Sequence, residues 1–188
     1  MKLSFIGLGV MGYPMAGFLA KAGYHVTVFN RTESKAKKWC EEFNGVFAIS
    51  PLEAAKNADI IFTCVGNDDD VRQVILGPNG AIHGLKKNAI IVDHTTASSV
   101  LAEDLDNNIT NAEGFFLDAP LSGGQAGAES GQLTIMVGGE ESTFSEASPV
   151  MNSYAKACTL IGGVGSGQKA KMVNQICIAG LVQGLAEG

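Results

Sequence analysis

The sequence predicts an α/β chain: a doubly wound, mainly parallel sheet with helices on both faces, followed by the start of a long helix. Three observations carry that prediction. A strand-like run, Lys2–Ile6, feeds straight into Gly7-Leu8-Gly9-Val10-Met11-Gly12 and then into a helix-like stretch. Short β-rich runs alternate with helical patterns along the rest of the chain, which is how parallel strands come to be covered on both faces. The 188 residues are 46% hydrophobic and 17% charged, enough apolar material for a core in one or two domains.

The glycine motif matters because of where it sits, between a strand and a helix. There Gly7 serves the tight turn, Gly9 lets the backbone approach a pyrophosphate, and Gly12 permits close helix packing. A dinucleotide ligand and a Rossmann-type sheet follow, with Leu8, Val10 and Met11 completing the cofactor loop. The second strand, His25–Phe29, ends in Asn30-Arg31-Thr32, where an NAD-selective site would carry Asp or Glu for the ribose 2'-hydroxyl. A cation at that turn suits a 2'-phosphate, so Arg31, flanked by Asn30 and Thr32, points to NADP in preference to NAD. Lys35, Lys37 and Lys38 read as a solvated face of the next helix.

Further strands are expected at 59–65, 89–93, Phe115–Asp118, 133–137 and 156–161, with helices at 51–56, 69–75, 98–109 and Glu141–Met151. Asp68-Asp69-Asp70 lies where a helix begins, and carboxylates there complement the helix dipole, so no metal site is expected. Open α/β sheets place ligands at strand carboxyl ends. Three such ends carry suitable groups: Val65-Gly66-Asn67, Asp93-His94-Thr95-Thr96 and Asp118-Ala119-Pro120-Leu121-Ser122-Gly123-Gly124.

Ser122-Gly123-Gly124 is the candidate substrate loop, since a hydroxyl beside two unobstructed amides can hold a carboxylate. A plain flexible turn is the rival, although Gly127 and Gly131 prolong the polar stretch beyond what a connection needs. Hydrolase chemistry is not expected: Gly-x-Ser-x-Gly is absent and no histidine follows Ser122. Among the histidines only His94 stands at a ligand-facing strand end. A second glycine-rich loop, 162–167, delivers a helix that carries Lys171 and Asn174 three residues apart, on one helical face. A desolvated lysine there could exchange a proton with a substrate oxygen. A lysine simply facing water fits the residues equally well.

The formal net charge of -6 and pI near 5.0 exclude a nucleic-acid surface, so an anionic cofactor must be met by helix N-termini and a few Arg or Lys. Cys40, Cys64, Cys158 and Cys177 show no zinc spacing. No apolar run reaches membrane-spanning length, and a cytoplasmic enzyme is the expectation.

Taken in order, Gly7-Leu8-Gly9-Val10-Met11-Gly12, Asp118 to Gly124, Gly165-Ser166-Gly167 and Lys171-Met172-Val173-Asn174 resemble the β-hydroxyacid dehydrogenase family, which includes 3-hydroxyisobutyrate dehydrogenase and tartronate semialdehyde reductase. The resemblance spans nearly the whole chain. It implies reversible NAD(P)-dependent interconversion of a small anionic β-hydroxy acid and its semialdehyde. It further implies that Lys171 is the general acid/base, that Asn174 orients substrate, that Ser122, Gly123 and Gly124 hold its carboxylate, and that Thr96 approaches the nicotinamide. In the related 6-phosphogluconate enzymes an Asn and a Glu follow the lysine where Gln175 and Ile178 stand here, which makes phosphogluconate a poor substrate.

The same resemblance divides the chain into an NADP-binding Rossmann domain, 1–163, and the start of a long interdomain helix, 164–188. In the family that helix leads to an all-helical carboxyl-terminal domain that closes the site and builds a homo-oligomer. The chain stops at Gly188 inside the helix, which would leave Leu181, Val182 and Leu185 without cover, so a longer enzyme is expected. The alternative is a non-catalytic dinucleotide-binding module. Lys171 favours the enzyme and the early stop favours the module.

Overall fold

A computed structural model describes residues 1–188. In chain order the elements are β1 (Lys2–Ile6), α1 (Gly12–Lys21), β2 (His25–Phe29), α2 (Glu33–Phe43), β3 (Val46–Phe47), α3 (Pro51–Ala55), β4 (Ile60–Thr63), α4 (Asp68–Leu76), β5 (Ile90–Asp93), α5 (Ser99–Asn111) and β6 (Phe115–Asp118). There follow β7 (Leu121–Ser122), α6 (Gly124–Ser130), β8 (Leu133–Gly139), α7 (Glu141–Met151), β9 (Ala155–Gly162) and α8 (Ser166–Glu187).

Strands β3-β2-β1-β4-β5-β6 lie side by side and parallel. Strand β8 then runs antiparallel to β6 and β7, and β9 pairs parallel to β8. The sheet is the expected doubly wound, mainly parallel one. Its central strands, Ile60–Thr63 and Ile90–Asp93, are buried at every position, as strands covered on both faces must be. Successive residues serve opposite faces: Phe62 joins Phe5, Trp39 and Tyr154 on one side, while Ile61 joins Ile6, Ile75 and Leu105 on the other.

Helix starts follow local chemistry. The side chains of Ser50, Asn67 and Ser98 each accept a bond from a backbone N–H three residues on, capping α3, α4 and α5. Asp68, Asp69 and Asp70 occupy the first turn of α4, the placement their charge favours.

Among the strands and α-helices, three were not expected. Strand β3 has only two residues, too few to show an alternation. Strand β7 resumes the edge of β8 after Ala119-Pro120, with Met136 N–H donating to the Pro120 carbonyl at 3.2 Å. The stretch read as a glycine-rich loop contains α6, which buries only Ala128 and so lacks an apolar periodicity.

Candidate functional site

At the carboxyl end of β1 the three motif glycines have distinct steric reasons. Gly7 adopts φ +99°, and a Cβ there would lie 2.2 Å from the Cys64 carbonyl oxygen. A Cβ on Gly12 would come within 1.9 Å of the Gly7 carbonyl oxygen, whereas one on Gly9 would meet nothing within 4 Å. Gly9 therefore offers bare backbone to an approaching ligand. Helix α1 has no side-chain cap; Tyr13 N–H donates to the Gly9 carbonyl at 3.0 Å and Pro14 has no N–H, so the Gly12 N–H is the one its first turn leaves for an anion.

Asn30 has a different task from the one its position suggested. Its Oδ1 accepts from Leu8 N–H at 2.9 Å and its Nδ2 donates to the Thr32 carbonyl at 3.0 Å, tying the glycine loop to the end of β2. The Leu8 amide is thereby occupied, and the Leu8 side chain is buried in the core. Arg31 is left as the group that projects: its side chain is 89% exposed and reaches Asp70 across the opening at 3.4 Å.

These residues line one cleft of about 570 Å³. Gly7, Gly9, Val10, Met11 and Gly12 form one wall with Asn30, Arg31 and Thr32, and Val65, Gly66 and Asp70 face them. The cleft opens between β1 and β4, where the strand order reverses, the usual place for a ligand in an open α/β sheet. Lys35, read as part of a solvated face, lines it too, while Lys37 pairs with Glu33 at 2.6 Å.

Thr96, Ser122, Gly123, Gly124, Lys171 and Asn174 are not among the residues lining that cleft. They stand at or beyond the ends of β5, β7 and β9, and polar ties hold the Thr96 loop and the start of α8. Asp118 accepts from Gly165 N–H at 2.7 Å and Gln168 N–H at 2.8 Å, so a carboxylate from β6 caps α8. Gln168, 1% exposed, donates from Nε2 to the Thr95 carbonyl at 2.7 Å and accepts from Ala97 N–H at 3.1 Å. Asp68 accepts from Ser98 N–H at 3.0 Å. Thr96, itself exposed, is thus carried by a loop pinned on both sides.

Next to that loop, Asp93 accepts from the Thr63 hydroxyl at 2.7 Å and Thr95 N–H at 3.0 Å. Burial raises its pKa to about 6 in spite of those donors. Burial likewise raises the pKa of Asp118.

His94 proves structural. Because the Ala119 carbonyl can only accept, Nδ1 carries the proton and donates to it at 2.7 Å, leaving Nε2 to accept from the Tyr154 hydroxyl at 2.8 Å. Burial pushes its pKa down to about 4, so the ring is neutral and stacks on Phe62.

Lys171 is 8% exposed on the packed first turns of α8, and burial alone pushes its pKa below the ordinary lysine value. The reading in which it faces water is therefore set aside. One turn on, Asn174 is half-buried and donates to Gln175 Oε1 at 3.1 Å. Beyond it α8 leaves the body, with Leu181, Val182 and Leu185 between 60% and 73% exposed.

Residues 2–163 match the family described as the NAD binding domain of 6-phosphogluconate dehydrogenase. The chain belongs to the β-hydroxyacid dehydrogenase family. An uncharacterized oxidoreductase of Shewanella frigidimarina is 57% identical over all of this chain and 64% of its own length. A probable mitochondrial 3-hydroxyisobutyrate dehydrogenase-like protein 1 of Arabidopsis thaliana is 45% identical over all of this chain and 56% of its own length. Among solved structures, the 3-hydroxyisobutyrate dehydrogenase of Mycobacterium tuberculosis with L-serine superposes with a TM-score of 0.88 and 32% identity, over 95% of this chain and 60% of that one. The chain thus spans less than two thirds of the length of these relatives.

In this family member, the ties that Asp118, Gln168 and Asp68 make escaped sequence reasoning. Asp118 left a readable signal, a carboxylate ending a strand ahead of a glycine-rich helix start. Gln168 left none, since its partners are backbone atoms more than 70 residues away. No helix is long and apolar enough to cross a membrane.

Proposed function

We propose that this chain is the dinucleotide-binding part of an oxidoreductase that uses NADP(H) to interconvert a small β-hydroxy acid and its semialdehyde, of the 3-hydroxyisobutyrate or 2-hydroxy-3-oxopropionate type. The observation that carries the reading is Lys171: a buried ammonium with no carboxylate to stabilise it, on a helix tied through Gln168 to the loop bearing Thr96. A group that costs stability in this way is retained for chemistry.

The cleft suits a dinucleotide because the bare backbone of Gly9 and the unpaired Gly12 N–H face a pyrophosphate, and Arg31 presents a fork to a 2'-phosphate. The nicotinamide would supply or accept the hydride. In oxidation the neutral Lys171 amine takes the hydroxyl proton as the C–O bond becomes C=O, and in reduction the ammonium returns it to the carbonyl oxygen. Its lowered pKa brings both forms closer to neutral pH. Asn174 orients the reacting oxygen, and Ser122 with the Gly123 and Gly124 amides holds the substrate carboxylate.

In this reading residues 1–163 form the cofactor domain, and α8 continues into a helical domain that covers its apolar side and makes a homo-oligomer. Four unpaired cysteines suit a reducing, cytoplasmic setting. Fluorescence titration of the intact protein with NADPH and NADH tests the reading. Tighter NADPH binding that weakens about tenfold in Arg31→Ala supports it, and equal affinities would remove the NADP assignment. Dinucleotide binding without turnover of any small semialdehyde would favour the non-catalytic module.

A further inference from the structure

The Arg31 side chain is nearly free, yet the one group it touches is a carboxylate. Asp70 stands on the first turn of α4, across the cleft, with Oδ1 3.4 Å from the Arg31 guanidinium. Its other oxygen, Oδ2, folds down over Gly66: a Cβ on that glycine would lie 2.6 Å from it. Both residues line the cleft. The backbone at the end of β2 is fixed by Asn30, whose amide is committed to Leu8 and Thr32, so the long Arg31 side chain is the movable part.

We propose that Asp70 is a specificity-determining residue that competes with the cofactor 2'-phosphate for Arg31 and so limits discrimination between NADP(H) and NAD(H). This rests on the reading of Arg31 given above. An exposed pair at this distance is weak, so a 2'-phosphate can displace it, but each binding event must give up the contact. NAD(H), with a 2'-hydroxyl, leaves the pair intact and feels no competition. Removing the charge at 70 therefore improves one cofactor only.

The test is titration of the intact protein with NADPH and NADH, for the wild type, Asp70→Asn, Arg31→Ala and the double variant. Asp69→Asn, an exposed neighbour on the same turn, controls for net charge. Asp70→Asn is expected to tighten NADPH about fivefold and leave NADH within about twofold, a gain that shrinks with added salt. Asp69→Asn is expected to change neither. In the Arg31→Ala background Asp70→Asn should give no gain, because there is no guanidinium to release. Equal changes for both cofactors, or a gain that persists without Arg31, would overturn the competition. If Arg31→Ala weakens NADPH but Asp70→Asn does not tighten it, the Asp70 inference alone fails. If Arg31→Ala leaves NADPH unaffected, the 2'-phosphate reading fails and this inference with it.

Discussion

At the β1–α1 end of the sheet the ligand-facing surface is mostly backbone, shaped by glycines within six consecutive residues. At the β5–β6 end it is held by side chains that reach across the fold, from His94 to Ala119 and from Gln168 to Thr95, sequence separations of 25 and 73. The first end needs local geometry and little else. The second needs Asp68, Asp118 and Gln168 to arrive from three different elements before Thr96 and Lys171 take their places. On the proposed function, a cofactor common to many substrates can be met by a fixed local device, while a proton-transfer group must be set against a particular substrate by the whole fold.

Breaking each end separately sharpens that contrast. The largest effect is expected from Lys171→Met, which should slow semialdehyde reduction about a thousandfold while the NADPH dissociation constant stays within about twofold. In the wild type, hydroxy-acid oxidation should rise with pH through a value below that of an ordinary lysine, because the amine must be neutral to take the proton. Single-turnover rates across pH check both points.

Gly12→Ala attacks the other end. Its methyl group would press on the Gly7 carbonyl, which is backbone and cannot swing away, so a loss of about 3 kcal/mol or more in denaturant unfolding is expected, together with loss of NADPH binding.

The buried pair Asp93 and His94 offers a third probe. The raised Asp93 pKa, about 6, contributes stability while the group is protonated and loses it as pH rises from its ordinary value of 3.8. The lowered His94 pKa, about 4, does the opposite: below its ordinary 6.5 the unfolded chain takes the proton first, so this contribution is lost as pH falls. Each amounts to roughly 3 kcal/mol, with opposite signs over nearly the same window. Relative to the wild type, Asp93→Asn should make stability climb more steeply from about pH 4 to 6, and His94→Asn should make it fall. Parallel curves for all three proteins would show that neither group titrates as described.

Gln168→Leu should have the smallest effect, about 2 kcal/mol of stability, from the Thr95 carbonyl and Ala97 N–H left without partners. Its more telling readout is kinetic. The turnover number should fall while 2'-phosphate discrimination, set at the far end of the sheet, is unchanged; a matched loss of cofactor affinity would mean that the two ends are not independent.

Several parts of this molecule were legible in the residues. The limits of β1, β2, β6 and α7 match expectation to the residue, because alternation, flanking glycine and apolar runs are local signals. The turn at Gly7 and the close packing at Gly12 were read correctly, and Gly9 has the open backbone that its reading requires. Arg31 was seen as the projecting cation, but Asn30 was taken for its helper when its amide ties the loop together. Ser122 was placed in a loop and lies on a two-residue strand, because β7 exists only through pairing with β8. His94 drew notice from its position after a strand, yet that position faces Tyr154 and the core.

The sequence by itself determined the α/β class, a mainly parallel sheet and the dinucleotide loop, since each depends on residues close together in the chain. Only the tertiary structure decided that Asp118 caps the lysine helix, that Gln168 locks the Thr96 loop, that Asp70 faces Arg31 and that Lys171 is buried. The physical reason is that hydrogen bonds, ion pairs and desolvation act over a few ångströms. When their partners lie dozens of residues apart, nothing in local composition records them until the sheet brings the strand ends together.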